Sequence, residues 1–269
     1  MTGFTLTLKS APALRLDVRG VTPNAFASLS AAEVERLPLA HGNAFVPLAE
    51  FFTVAPRRDD TLLLQGDLSR CDFVGWQMNG GTLIAEGSVG DYAGGAMSAG
   101  TLTVKGHAAD LAACEMAGGT LDIAGHVGDF AAGTLPGSMD GMRGGSLLVR
   151  GNAGARFGDR MRRGTALIFG DAGEFLASRM VAGTIAIAGR AGAHVGYGMR
   201  RGSVVFAGPA PGLAPTFVPA GAGAPVFWQL LARDLARHGG AFGSLAARGF
   251  ERHLGDVAAA GKGELIVVR

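Results

Sequence analysis

Two histidines, His107 and His126, stand 19 residues apart, and three aspartates, Asp91, Asp110 and Asp129, keep the same interval. If a fold stacked each set into a row, imidazoles could hold a transition metal and carboxylates could hold calcium. Both rows stop short. The positions that continue the histidine row are Asn152, Asp171 and Arg190, so no third imidazole joins it, and a solvated turn is the expectation. A calcium-binding roll needs a nonapeptide repeat, which an interval of 19 lacks, so the aspartates are expected to form a hydrated edge. No Ser or Cys sits in a nucleophile elbow, and the glycines follow apolar runs without opening helices, which argues against phosphate cradling. Cys71 and Cys114 form no CxxC pair. The sequence therefore offers no catalytic residue and no metal site of its own.

Anion binding is the chemistry it does offer. Between residues 59 and 140 there are eleven acids against Arg70 and Lys105. Between residues 141 and 201 there are ten arginines against Asp159, Asp171 and Glu174. The net charge is only +2, so the signs are segregated rather than in excess, an arrangement suited to a partner or a polyanion. Nucleic acid is disfavoured, because the chain is not strongly basic and its basic half shows no interleaved exposed aromatics.

What positions these charges is a repeat. Met78, Met97, Met116, Met142, Met161, Met180 and Met199 are 19 residues apart except for one step of 26. Each is followed three residues later by a glycine, from Gly81 to Gly202, and six further on by another, from Gly87 to Gly208. "TLLLQG" at 61–66 is an earlier, degenerate copy. Between the paired glycines the residues alternate, putting Leu102 and Val104, Leu121 and Ile123, Leu147 and Val149, and Ile185 and Ile187 on one face. Nineteen residues are too few for a βαβ unit with its helix. The repeat predicts an all-β, right-handed parallel β-helix of about seven to eight coils. Its strands would lie roughly 4.8 Å apart with the methionines inside.

A solenoid needs caps. Residues 1–58 are expected to form a small α/β N-terminal cap, with strands "FTLTL" and "LRLDV" and a short helix begun by a capping box of Ser30 and Glu33. Residues 59–212 would be the β-helix, and 213–269 a linker, helices and a terminal strand, "ELIVVR". Phe227, Leu230, Leu231 and Leu235 have helical spacing over 226–238, and a second short helix is expected near 244–254. On the outer strand face, early coils place Thr103, Lys105 and Asp122, whereas later coils place Leu148, Leu167, Phe169 and Val205. These apolar residues must be covered, either by the 226–238 helix or by a partner protein. With Pro136 and Met139 from the seven-residue insertion they are the candidate partner interface. The start of the sequence lacks a secretory pattern and no run nears 18 apolar residues, so no membrane association and a cytoplasmic, reduced location are expected.

The phrase M-x-x-G-x-[LIV]-x-[VI]-x-G-x-x-G resembles the GXGXG-type β-helix of the glutamate synthase C-terminal domain and of the formylmethanofuran dehydrogenase C subunit. "VPLAEFFTV" at 46–54, "GDLSR" at 66–70 and copies running to Gly208, with no glutamate synthase domain before them, favour the second family. A content of 21 arginines to three lysines is unlike a methanogen protein and suggests a GC-rich bacterium. There the related assembly is the formyltransferase/hydrolase complex of methylotrophs, which serves one-carbon metabolism. The resemblance implies a hetero-oligomer of four kinds of subunit that passes a formyl group from tetrahydromethanopterin to a methanofuran-type carrier and releases formate. In that family the C subunit is a non-catalytic scaffold that binds no cofactor, and the transferase site and the metal-dependent hydrolase site belong to other subunits. Because such carriers have glutamyl tails, Arg143, Arg162, Arg163, Arg200 and Arg201, next to the inserted loop at 133–142, become candidate contacts for an acidic tail. A plain contact between subunits is the alternative for that loop. Two other readings stand: the C subunit of a tungsten or molybdenum formylmethanofuran dehydrogenase, and a stand-alone polyanion- or carbohydrate-binding solenoid. A ladder of exposed aromatics would favour the last, and the sequence shows none.

Overall fold

The alternating runs between paired glycines are strands, and each pairs with its own counterpart one repeat away. The computed structural model describes residues 3–221 and 225–269. Thr61–Gln65, Asn79–Ala85, Ala99–Val104, Thr120–Ile123, Arg143–Val149, Arg163–Ile168, Thr184–Ile187 and Ser203–Phe206 follow one another as parallel neighbours. The degenerate copy at 61–66 is thus a full member. Phe4–Leu8 extends the ladder in parallel at one end and Gly263–Val268 at the other. The whole is a 13-stranded, mainly parallel sheet. Single bridges linking Leu68, Val89, Ala108, Val127, Ala153, Ala172 and Ala191 form a second, thinner ladder along the same repeats.

Register carries each side chain onto its counterpart. One inward column runs through Val104, Ile123, Val149, Ile168, Ile187 and Phe206, all without exposed surface. The seven methionines are as fully buried. Their partners are the glycines of the following copy. At Gly119, where φ is +81°, an added Cβ would lie 2.7 Å from the Met97 Cε and 2.7 Å from the Gly100 carbonyl oxygen. The methionine tip occupies the space a side chain would need, and the left-handed backbone excludes most side chains. Methionine and glycine therefore recur together because each copy's thioether seats on the next copy's bare Cα.

The outward column changes character along the ladder. Thr5, Leu63, Ile84, Thr103 and Asp122 are half-buried, whereas Leu148, Leu167, Ala186, Val205 and Ile266 are buried. Much of the cover on the later members comes from the chain itself. Trp228, Ala232 and Leu235 of the helix Pro225–Ala236, with Phe242 and Leu245, form one buried cluster with Leu167, Ala186, Val205 and Ile266. Phe169 packs against that cluster, edge-on to Phe242 at 5.0 Å. Of the two covers expected for these residues, the chain's own helix is the one present over Leu167 and Val205, and Leu148 is 4% exposed.

Two expectations are corrected. The helix lies down through Trp228, Ala232 and Leu235, at i, i+4 and i+7, so Phe227 and Leu230 point outward at 43% and 64% exposure. The expected helix near 244–254 is instead a 3₁₀ turn, Leu245–Ala247, and a strand, Phe250–Gly255. That strand pairs antiparallel with Gly263–Val268, whose free edge offers backbone groups that a strand satisfies and a helix does not.

At the opposite end the capping box is present: the Ser30 N–H donates to Glu33 Oε2 at 2.7 Å and the Glu33 N–H to Ser30 Oγ at 3.4 Å. The helix it starts is short, Ala31–Glu35. A four-stranded sheet ties this region to the first repeat by pairing Leu16 with Cys71, and Arg15 bridges Asp72 and Asp91. Among the described residues no helix is long and apolar enough to cross a membrane.

Candidate functional site

The residue after each methionine begins a column that the repeat brings to one surface. It reads Asn79, Ser98, Ala117, Arg143, Arg162, Val181 and Arg200, and the next position reads Gly80, Ala99, Gly118, Gly144, Arg163, Ala182 and Arg201. Arginine enters where the charge changes sign and skips one copy. Since parallel strands lie roughly 4.8 Å apart, the Arg162–Arg163 and Arg200–Arg201 pairs stand on the order of 10 Å from each other. Val181 and Ala182 lie between them as an apolar floor.

The result is an open cavity of about 580 Å³ lined by Arg143, Arg162, Arg163, Arg200 and Arg201, with Val181, Ala182 and Asp140. All five arginines singled out in the sequence meet there. A second concavity of about 440 Å³ shares Arg162, Val181 and Arg200 and adds Arg160, Arg179 and Met139. Together they form a basic trough beside the inserted loop, whose Pro136 and Met139 are exposed.

Pairing divides these arginines into two kinds. Arg179 is committed: its Nε and Nη2 donate to Asp159, at 3.0 and 2.8 Å, and this carboxylate, only 1% exposed, also accepts from Ser178 Oγ. Arg143 lies 3.8 Å from Glu115, and Arg162 is ion-paired with Asp140 of the insertion. Arg163, Arg200 and Arg201 have no carboxylate within ion-pair distance among the described residues. Guanidinium groups held at fixed spacing over an apolar floor can take a planar anion in two-pronged fashion. Sequence reasoning passed over Arg160, Arg179 and Asp140. The 19-residue interval between Arg160 and Arg179 was a usable signal, whereas a loop residue such as Asp140 has no repeat to place it.

The rows of histidine and aspartate serve the backbone. The imidazoles of His107 and His126 stack at 4.8 Å, only 5° from parallel. His107 Nδ1 accepts the His126 N–H at 2.9 Å and His126 Nδ1 accepts the Asn152 N–H at 2.7 Å. Asn152 and Asp171 continue the series with the N–H groups of Asp171 and Arg190. A metal at Nε2 would need the proton on Nδ1, where a donor already points. Asp72, Asp91, Asp110 and Asp129 each accept an N–H from the next copy in the same way, at 2.7 to 3.1 Å. The aspartate edge is thus a row of hydrogen-bonded rungs. Burial pushes the Asp91 carboxyl up from its ordinary value, against the lowering effect of the Asp110 N–H it accepts. No group of three or more potential metal ligands occurs among the described residues.

An aromatic row that the sequence reading missed runs along another edge. Phe73 stacks on Tyr92 at 4.5 Å with Arg19 over its other face, and Arg156 lies over Phe175 at 4.6 Å and Phe130 at 5.8 Å. Phe175 in turn stacks on His194 at 4.7 Å. Phe73, Tyr92, Phe130, Arg156, Phe175 and His194 all take positive φ in the same turn of the repeat, with Leu111 interrupting the row, and Phe73, Tyr92 and Phe175 are half-buried, so this is not a ladder of exposed aromatics. Phe73 and Phe175 each meet both an aromatic ring and an arginine, whereas a platform for sugars or bases needs free faces.

Both thiols are buried and free, and burial pushes Cys71 and Cys114 up to about 12, with the nearby carboxylates of Asp72 and Glu115 adding to it. The native protein is therefore expected to resist iodoacetamide for hours at pH 8 and to take two labels once denatured. Mass spectrometry checks this, and rapid labelling of the native chain would contradict the buried placement.

No family model matches the chain. Over its whole length it is similar to a chain in the crystal structure of the formyltransferase/hydrolase complex from Methylorubrum extorquens in complex with methylofuran. The two are 40% identical with a TM-score of 0.90, and the match covers 98% of each. Curated relatives match over shorter stretches. The C subunit of the formyltransferase/hydrolase complex Fhc of Methylorubrum extorquens is 42% identical over 86 residues, 32% of either chain. The C subunit of the molybdenum-containing formylmethanofuran dehydrogenase 1 of Methanothermobacter thermautotrophicus is 36% identical over 90 residues, 33% of this chain and 22% of the relative. The C subunit of the tungsten-containing enzyme 2 of Methanothermobacter wolfeii is 32% identical over 94 residues, 33% of this chain and 35% of the relative. The matched stretches thus span between about a fifth and a third of these curated relatives. With 40% identity sustained from end to end of a solved relative, the chain belongs to the C-subunit family shared by formyltransferase/hydrolase complexes and formylmethanofuran dehydrogenases.

Proposed function

We propose that this chain is the non-catalytic scaffold subunit of a hetero-oligomeric formyltransferase/hydrolase complex. That complex would convert formyl-tetrahydromethanopterin to formate through a formylated methanofuran-type carrier. The full-length match to a chain of such a complex carries this reading. The dehydrogenase relatives, which cover a third of the chain, support the runner-up, the C subunit of a molybdenum or tungsten formylmethanofuran dehydrogenase. On either reading the repeats at 59–212 wind as a right-handed parallel β-helix between an N-terminal part, 1–58, and a C-terminal part, 213–269. Tetrahydromethanopterin and the metal are held by the transferase and hydrolase subunits, in the cytoplasm. Stacked repeats suit a scaffold because each copy is fixed by its neighbours, giving a stiff surface on which other subunits keep constant positions.

Within that scaffold the arginine trough is proposed to hold the acidic tail of the carrier, a reading supported by the five arginines that line the cavity. The carrier supplies the formyl-accepting group; Arg163, Arg200 and Arg201 supply charge that no carboxylate among the described residues neutralises. Pro136 and Met139, exposed on the insertion, either touch a neighbouring subunit or flank the tail.

Affinity-tagged chain expressed with the neighbouring subunits is expected to recover them in fixed ratio, while the isolated metal-free chain releases no formate from a formylated carrier. Formate release by the chain alone would end the scaffold reading. Deleting residues 134–140 separates the two roles of the loop. A contact loop lowers recovery of the complex and leaves turnover per intact complex unchanged. A guiding loop leaves assembly intact and raises the KM for a long-tailed carrier in a salt-sensitive manner.

A further inference from the structure

Of the arginines in the larger cavity, Arg162 is the one whose charge is met by the insertion. Asp140 is half-buried at the cavity rim and ion-paired with Arg162, while Arg163, Arg200 and Arg201 stand open around it. The Asp140 N–H, 3.4 Å from Ser138 Oγ, belongs to a bend of the projecting loop, so this carboxylate is delivered by a surface segment and not by the sheet. We propose that Asp140 is a resident stand-in for the ligand: an anionic chain binds by taking Arg162 from Asp140 and extends its further charges to Arg163, Arg200 and Arg201. The proposal rests on the reading of the trough as the site of an acidic tail.

Three observations set the ligand class. The group already seated on Arg162 is a carboxylate, so carboxylate geometry fits that guanidinium. The open arginine pairs are on the order of 10 Å apart, which calls for a chain with several charges and not for a single small anion. The floor is Val181 and Ala182 and no aromatic lines either concavity, so nothing there would stack a base. The ligand is accordingly a flexible oligocarboxylate. The exchange at Arg162 trades one exposed ion pair for another, so it contributes little to affinity, and the net gain comes from the other arginines. Asp140 then sets a threshold at Arg162 that a chain already anchored on the other arginines can meet.

The test is fluorescence anisotropy of an end-labelled hexaglutamate peptide on the full-length chain at low salt. Asp140→Asn keeps the side-chain shape and removes the competing charge. It is expected to tighten hexaglutamate binding about two- to fivefold, while acetate, which can settle on the open arginines without displacing Asp140, gains less. The double variant Arg163→Gln/Arg201→Gln should weaken hexaglutamate at least tenfold, flatten its salt dependence and leave the melting temperature in place. If wild type binds, the arginine variant fails and Asp140→Asn binds like wild type, the displacement idea is overturned and the trough reading stands. If neither wild type nor Asp140→Asn binds hexaglutamate, the trough reading itself falls. Tripolyphosphate competing tenfold more strongly than hexaglutamate would overturn the assignment to carboxylates.

Discussion

Ile187→Asp is expected to leave no cooperative thermal transition above room temperature. Ile187 has no exposed surface, and register places it between Ile168 and Phe206 in a column continuous along the ladder. A carboxylate there has no donor to meet and no route to water, and it also replaces aliphatic volume. The combined cost is on the order of 4–5 kcal/mol or more, comparable to the whole stability of many domains. Damage spreads to the neighbouring copies, because each is stabilised by the next. Ile187→Val in the same column should cost only about 1 kcal/mol. Circular dichroism melts of the two variants check the expectation. An aspartate variant melting within a degree or two of wild type would show that the inward face is assigned wrongly.

Ending the chain at Gly212 should be nearly as damaging, by a different route. It removes the strand Gly263–Val268, which closes the ladder beside Ser203–Phe206, and the helix Pro225–Ala236 with its buried Trp228. Leu167, Ala186 and Val205 would then face water as a contiguous apolar strip next to an open parallel edge, a combination that templates aggregation. The truncated chain is expected almost entirely in the insoluble fraction, with the remainder eluting as large assemblies. A soluble monomer with the wild-type melting temperature would mean that the C-terminal segment is an accessory and not part of the core.

The ladder was legible in the sequence because its physics is periodic. Inward columns demand β-branched and aliphatic residues at fixed offsets, and the Met97–Gly119 kind of seat demands its two residues together, so 19-residue spacing exposes both. The arginine cavity was legible for the same reason: Arg162, Arg163, Arg200 and Arg201 occupy equivalent positions, and equivalence in the repeat becomes adjacency in space. What depends on a torsion angle or a one-off contact was not legible. Phe73, Tyr92, Phe130 and Phe175 form a row because their turn is left-handed, a conformation that aromatic residues do not announce. The strand Phe250–Gly255 was missed because its conformation is set by the open edge it meets. Helical spacing was right for the segment after Pro225, yet its inward face turned on Trp228, whose bulk outweighs Phe227 and Leu230 in contact with the sheet.

The placement of the first and last strands has a practical corollary. Phe4–Leu8 and Gly263–Val268 lie nine strand spacings apart in one ladder, roughly 43 Å at the usual interval, although both belong to the ends of the chain. Fluorophores attached near the two termini therefore turn the protein into a molecular ruler of known length and direction. Energy transfer from either end to a labelled neighbour would then read the polarity with which the rod is mounted.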